Sequence, residues 1–179
     1  MKKPNLRKLY LFLLVSVLVI SFTSCENEDY TKTGKLVSDT YDWQYQPQTN
    51  NVGTVTVTLD MDIRDIQGYN TYDRLYQIDL YNSFLTMDSK YMGTGDEVEI
   101  RLWSYGIGEY RNIYRTDNRG ITQISSDYDT SYRRFIQDLM DKLYSDGHLT
   151  LDVSVRVNRY QVIPFDLELN NNLDLRIRD

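Results

Sequence analysis

Residues 54–63, TVTVTLDMDI, alternate without a break between polar and apolar side chains. Threonine or aspartate separates the members of the apolar set, which are Val55, Val57, Leu59, Met61 and Ile63. Successive side chains of a β-strand point to opposite faces of a sheet, so this period of two predicts a strand with one buried and one solvated face.

The same alternation returns in five other stretches, at 76–80, 98–102, 149–157, 163–169 and 173–177. Strands with one apolar face need a second layer to cover it. The sequence therefore predicts a mainly β fold, an antiparallel β-sandwich that is immunoglobulin-like or a related Greek key. Asn170–Asn172 is expected to form a hairpin loop between the last two strands. Pro164 indicates an edge position or a bulge, because proline cannot donate to a ladder.

One segment breaks the period of two. From Tyr132 to Tyr144 the apolar residues recur at spacings of three and four, which is typical of an amphipathic helix of about four turns. Asp127 or Asp129 can cap its start, and Asp146–Gly147 can end it. We therefore expect one crossover helix near residues 130–145, lying over one end of the sandwich.

The N-terminal residues 1–24 have the organisation of a signal peptide. Four basic residues precede the apolar run Leu9–Ile20, and residues 1–24 contain no acid. A helix of that length reaches about 18 Å against a hydrocarbon core of about 30 Å, which makes it short for a membrane span. Without residues 1–24 the net charge falls from −6 to −10, because four positive charges leave with them. Such an acidic chain disfavours nucleic acid as a partner.

The segment Phe22-Thr23-Ser24-Cys25 resembles a bacterial lipobox. The resemblance implies that Cys25 carries a lipid and becomes the first residue of the mature chain, with the membrane as its partner. Residues 25–34 are polar and predict a flexible tether, which leaves 35–179 for the β-sandwich domain. The acids after Cys25 resemble the surface-export signal of Bacteroidetes-type envelope lipoproteins. That resemblance implies attachment to the bacterial outer membrane, with an outward orientation favoured.

The composition excludes most kinds of metal site and catalytic triad, and we expect no cofactor. One cysteine and one histidine exclude a disulfide framework, a thiolate zinc site and a multi-histidine cage. Asp60, Asp62 and Asp65 invite a calcium interpretation, but Arg64 and Asp65 stand where an EF-hand loop needs an oxygen ligand and a glycine. His148 is a potential base, and no nucleophile motif accompanies it. The 26 acids allow a carboxylate pair without marking one, so we predict no catalytic residues and no enzyme.

Aromatic residues are the one compositional anomaly, because tyrosine outnumbers phenylalanine 16 to 5. One cluster comprises Tyr41, Trp43 and Tyr45, for which core packing is the favoured explanation. The second cluster surrounds the turn Gly106–Gly108 and is expected to form a loop that presents side chains. Its members are the candidate ligand-binding residues Trp103, Tyr105, Tyr110 and Tyr114, for which core packing and binding are equally open.

These observations favour a membrane-anchored envelope lipoprotein that acts as a non-enzymatic binding or assembly module, with an unidentified protein or glycan as partner. The first alternative is a carbohydrate-binding accessory protein in surface glycan uptake. The second is a carboxylate-dependent hydrolase. A glycan module should expose aromatic rings, and an assembly module should have a free sheet edge. An enzyme of this kind should bring two acids together in a cleft.

Overall fold

The computed structural model describes residues 29–45, 54–157 and 163–178. Residues 1–24, Cys25 and the side chains of Tyr41, Trp43 and Tyr45 lie outside the described part of the structure. The elements in chain order are β1 (Asp29–Tyr45), β2 (Thr54–Asp62), a 3-10 turn (Ile63–Asp65), β3 (Arg74–Asp88), β4 (Glu97–Ser104), β5 (Gly108–Arg115), β6 (Ile121–Ser125), α1 (Thr130–Asp146), β7 (His148–Val157) and β8 (Ile163–Arg178).

The eight strands form two four-stranded antiparallel sheets, in the orders β1-β8-β3-β6 and β2-β7-β4-β5. Consecutive strands cross repeatedly from one sheet to the other, which is the jelly-roll form of a Greek-key sandwich. The predicted antiparallel β-sandwich with one crossover helix is confirmed. Each sheet turns its apolar set inward, and the two sets interdigitate as the core.

The expected hairpin loop at Asn170–Asn172 is wrong, because β8 runs through these residues without a break. Asn171 is fully buried, and its Oδ1 accepts a hydrogen bond of 2.7 Å from Ser83 Oγ. Asn172 Nδ2 donates to Asn82 Oδ1 at 2.6 Å. Partners on β3 therefore stabilise a run of asparagines whose own preference is for turns.

The predicted tether is too long at its C-terminal end. Strand β1 begins at Asp29, and residues 29–34 pair in antiparallel register with the end of β8, from Arg178 back to Leu173. Gly34 lies against the side chains of Ile66 and Leu175 with almost no room for a Cβ. These polar residues form a strand because β8 supplies their hydrogen bonds. They have no apolar periodicity of their own, so the sequence does not predict a strand here.

Pro164 is the second residue of the central strand β8, opposite Gln44. It lies beyond the last paired residue of β3, Asp88, and its carbonyl accepts from Ser89 Oγ at 2.8 Å. A register shift in β1 between Thr40 and Trp43 accompanies it. The proline thus sits next to a bulge, as expected, and not on an edge strand.

Helix α1 begins and ends as its caps predict. Asp129 is the N-cap and its side chain accepts from the backbone N–H of Tyr132, while Gly147 closes the helix at φ 76°. Its apolar stripe, which is buried against the sheets, consists of Tyr132, Phe135, Ile136, Leu139, Met140 and Leu143. No helix within the described ranges has the length and hydropathy of a membrane-crossing segment.

The same helix covers the part of β3 that extends past β6. Gln137 Nε2 donates to Ile78 O at 2.9 Å, and Gln137 Oε1 accepts from Leu80 N at 2.7 Å. Arg133 donates to the carbonyls of Leu80 and Tyr81 at 2.9 and 3.1 Å. A helix thereby supplies hydrogen bonds that another strand would otherwise make, which protects this edge from pairing with another chain.

Candidate functional site

The second aromatic cluster does not form the expected loop. Strands β4 and β5 make a hairpin, closed by the turn at residues 105–107. Gly106 and Gly108 have φ values of 81° and 110°, which only glycine adopts without strain. The two glycines therefore allow a tight reversal between two regular strands.

The hairpin distributes the four candidate residues over different surfaces. Tyr110 and Tyr114 are the cross-strand partners of Leu102 and Val98, so they face the interior. Trp103 points to the opposite, solvated face and is 39% exposed. Tyr105 lies in the turn and is 78% exposed. The structure thus does not bring the four rings together as one platform.

Tyr110 and Tyr114 belong to a hydrogen-bonded cluster at the start of α1. Their hydroxyls contact each other, and both donate to Asp129 Oδ2, at 2.7 Å from Tyr110 and 3.0 Å from Tyr114. The Tyr110 ring meets Tyr132 edge-on, with 5.5 Å between the ring centroids. The sequence left core packing and ligand binding equally open for Tyr110. In the structure Tyr110 packs in the core.

Burial decides the protonation of these tyrosines. Burial, together with the hydrogen bonds to Tyr114 and Asp129, raises the pKa of Tyr110 far above its usual value. Burial raises the pKa of Tyr114 to about 12. Both hydroxyls stay protonated at neutral pH and donate to the carboxylate, so the cluster fastens β5 to α1 and does not supply a tyrosinate nucleophile.

The outer face of the sheet β2-β7-β4-β5 presents Trp103 among hydrogen-bonding groups. In the row across the sheet, Trp103 lies between Asp152 on β7 and Glu109 on β5. Thr58 on β2 donates to Asp152 Oδ1 at 2.7 Å, which orients that carboxylate. The indole therefore stands between two carboxylates on a solvated surface.

A recess of about 200 Å³ opens beside this row. It is lined by Thr54, Glu99, Arg101, Arg111, Ser154 and Arg156. Glu99 binds Arg111 at 2.5 Å and Arg156 at 3.6 Å, while Arg101 binds Glu109 at 2.8 Å. We call Trp103, its row and this recess the outer face.

Sequence reasoning missed the arginines of the outer face. The alternation at 98–102 predicts Glu99 and Arg101 as polar positions of a strand, and it does not extend to β5. The spacing of two in Glu109, Arg111 and Ile113 was the available signal that these side chains share a face. The register of the hairpin decides which side chains lie opposite each other. The sequence does not specify that register.

A groove of about 490 Å³ separates β1 and β2, the edge strands at one side of the sandwich. Ile63 N donates to Gly147 O at 2.9 Å, on the side of β7. Hydrogen-bonding directions alternate along an antiparallel strand. The backbone groups of Thr56, Thr58 and Asp60 consequently point away from β7, toward the groove.

The other candidates lie at the start of β7 and at the end of β2. His148 is exposed, and its Nε2 is 4.0 Å from Asp60 Oδ1. Asp62, a residue of the calcium interpretation, uses both carboxylate oxygens to bind Arg64, at 2.9 and 2.5 Å. In residues 29–45, 54–157 and 163–178, no three histidines, cysteines or acids gather as a metal site would require.

No protein-family model and no curated protein matches this chain by sequence. Among solved structures, it is similar to the decameric BFDV capsid protein, with a TM-score of 0.45, 9% identity and coverage of 83% of this chain and 99% of that one. It is also similar to Desmodium yellow mottle tymovirus, with a TM-score of 0.42, 8% identity and coverage of 86% and 90%. The empty head of Turnip yellow mosaic virus gives a TM-score of 0.36, 8% identity and coverage of 88% and 86%. At these values the likenesses say nothing about the function or partners of this chain.

Proposed function

We propose that this chain is a lipid-anchored, non-enzymatic binding module of a bacterial outer membrane, and that its outer face binds carbohydrate. The observation that carries the carbohydrate assignment is the exposed indole of Trp103, flanked by Asp152 and Glu109. Aromatic faces stack on the apolar faces of sugar rings, and carboxylates accept hydrogen bonds from sugar hydroxyls. A solvated sheet face that offers both suits an extended glycan chain.

Replacing Trp103 tests this assignment. Trp103→Ala should weaken binding to an immobilised panel of neutral and acidic glycans by about 1–3 kcal/mol, as for an interface hot spot, and leave the melting temperature nearly unchanged. Tyr128→Ala is the matched control, because Tyr128 is 94% exposed and lies outside the outer face. Tyr110→Ala should behave in the opposite way and cost about 3–5 kcal/mol of folding stability, because Tyr110 is buried. A protein that binds no glycan, or a Trp103→Ala variant that binds as the wild type does, would contradict the proposal.

The anchor has its own test, which rests on the lipobox resemblance of residues 22–25. Cys25→Ala should abolish metabolic labelling with a fatty acid and release the protein from the membrane fraction. A Cys25→Ala protein that stays in membranes like an integral protein would instead indicate that the apolar segment is retained as an anchor.

A second function, assembly through strand addition, is favoured by the groove between β1 and β2. An edge strand with outward-pointing backbone groups is a template for another strand. Sedimentation should then show reversible self-association of the wild type. Thr58→Pro should abolish it, because proline removes an N–H that points into the groove without touching the β7 ladder, whereas Thr58→Ala should retain it. A wild type that is monomeric at all concentrations would contradict this second function.

A further inference from the structure

We propose that the outer face selects acidic glycans, and that Arg101, Arg111 and Arg156 bind the carboxylate or sulfate of a sugar unit next to the one stacked on Trp103. This inference rests on the proposed carbohydrate function and adds the class of ligand.

The recess carries more positive charge than its neighbours neutralise. Three arginines and Glu99 line it, and Glu109 pairs with Arg101 beside it, which leaves a local charge of +1 in a chain whose net charge is −6. Glu99 is shared by Arg111 and Arg156. Each guanidinium has five N–H donors in a planar fork, so these ion pairs leave further donors on side chains that line the recess.

Two of the arginines face each other directly. Arg101 on β4 is the cross-strand partner of Arg111 on β5. Side chains in that position are about 5 Å apart at their Cβ atoms, and like charges there are unfavourable. The diagonal partners Glu109 and Glu99 offset part of the repulsion. An oxyanion between the two guanidinium groups would offset the rest and accept hydrogen bonds from both.

The spacing suits a polymer. Arg101 precedes Trp103 by two residues on the same face of β4, a separation of about 7 Å along the strand. That separation exceeds the length of one hexose unit, so the two rows contact different units of a chain and not the same unit. The carboxylates of Asp152 and Glu109 lie in the row of Trp103 and would repel an acidic group there. The sugar hydroxyls are therefore expected over the Trp103 row and the charged substituent over the arginine row.

Matched ligands test the charge alone. Calorimetric titrations would compare galacturonic acid oligosaccharides with their methyl esters, and sulfated galactan oligosaccharides with their desulfated forms; the methyl esters and the desulfated forms are uncharged. The acidic form of at least one pair should bind about tenfold or more tightly, which is the factor expected for a charged hydrogen bond. This difference should shrink as salt is added. The pair that shows it identifies carboxylate or sulfate as the recognised group.

Variants locate the effect. The double variant Arg101→Gln, Arg111→Gln should bind the acidic oligosaccharide no better than its neutral counterpart. Arg115→Gln is the matched control, since Arg115 lies on the same strand and face but pairs with Glu97 and does not line the recess. Circular dichroism should show both proteins folded, and a double variant that fails to fold would be replaced by Arg156→Gln.

The possible results of these titrations separate the acidic-glycan inference from the carbohydrate function on which it rests. Equal affinity for charged and neutral forms overturns the inference, and so does a loss of affinity in Arg115→Gln as large as in the double variant. If binding is sensitive to Trp103→Ala and confined to neutral glycans, the inference fails and the carbohydrate function stands. If no glycan binds, both fail.

Discussion

The carboxylate of Asp129 joins the start of α1 to strand β5. Its Oδ1 accepts from Tyr132 N at 2.8 Å, while its Oδ2 accepts from the hydroxyls of Tyr110 and Tyr114. Burial by itself raises the pKa of Asp129, but the hydrogen bonds to the carboxylate outweigh it and lower the pKa below 3.8. The charged form is therefore the one that the folded state favours.

This shift predicts a pH dependence of stability. Because the folded-state pKa is depressed, the contribution of the charge is present above pH 3.8 and is lost as the pH falls through the folded-state value. Asp129→Asn keeps an oxygen for the cap but removes the charge. Urea unfolding should therefore find this variant less stable than the wild type near neutral pH, with the difference shrinking toward about pH 3. Asp127→Asn, at an exposed neighbouring position, is the control. A difference that is constant with pH would contradict the assignment.

The sequence identified the chemistry of Trp103 and Tyr110 but not the side of the sheet on which each lies. Both belong to a segment with two glycines, which was interpreted as a loop. In the hairpin, the positive φ of Gly106 and Gly108 permits a short turn, and its length sets Leu102 opposite Tyr110. The alternation of β4 puts Trp103, the neighbour of the buried Leu102, on the solvated face. The register of the hairpin, which no local pattern encodes, puts Tyr110 opposite Leu102 on the buried face.

At the scale of elements, hydrophobic periodicity predicts best those helices and strands that bury a long apolar face of their own. Helix α1 and strand β7 have long apolar repeats and were predicted within a few residues. Strand β6 has five residues, and the first part of β1 is polar throughout. Such elements form because a neighbouring strand completes their hydrogen bonds, and a neighbour far away in sequence leaves no local signal.

The contact of Gln137 with β3 predicts a stability effect from a partly exposed polar residue. Gln137→Leu removes the donor to Ile78 O and the acceptor for Leu80 N. We expect a loss of about 1–3 kcal/mol in the free energy of unfolding, because two backbone groups lose their partners. Gln123→Leu on β6 is the control, since Gln123 is exposed and bonds a threonine hydroxyl at 3.3 Å. Equal effects of the two changes in chemical denaturation would show that the helix does not protect this edge.

At the scale of the molecule, the two sheets and the helix share one core, so damage to either layer should unfold both. Leu139 on α1 and Val155 on β7 are 0% and 1% exposed. Leu139→Asp and Val155→Asp should each cost more than about 3 kcal/mol, since each buries a charge among apolar side chains. Ser131→Asp and Thr150→Asn, at exposed positions of the same elements, should change the melting temperature little. Separate melting transitions for helix and sheet signals in circular dichroism would contradict a single cooperative core.

Strand β8 is the last strand of the domain in sequence and lies between β1 and β3 in space. The pairs that join β1 to β8 link residues as far apart as Asp29 and Arg178. A ribosome therefore releases seven strands before the one that completes the first sheet, and the unfinished chain lacks the centre of that layer. Closing loops of such length is slow, so the first sheet stays incomplete after most of the chain has been made. For the secreted, lipid-anchored protein that we propose, this delay favours passage through a narrow secretion channel, because the first sheet is not complete and need not be unfolded on the way.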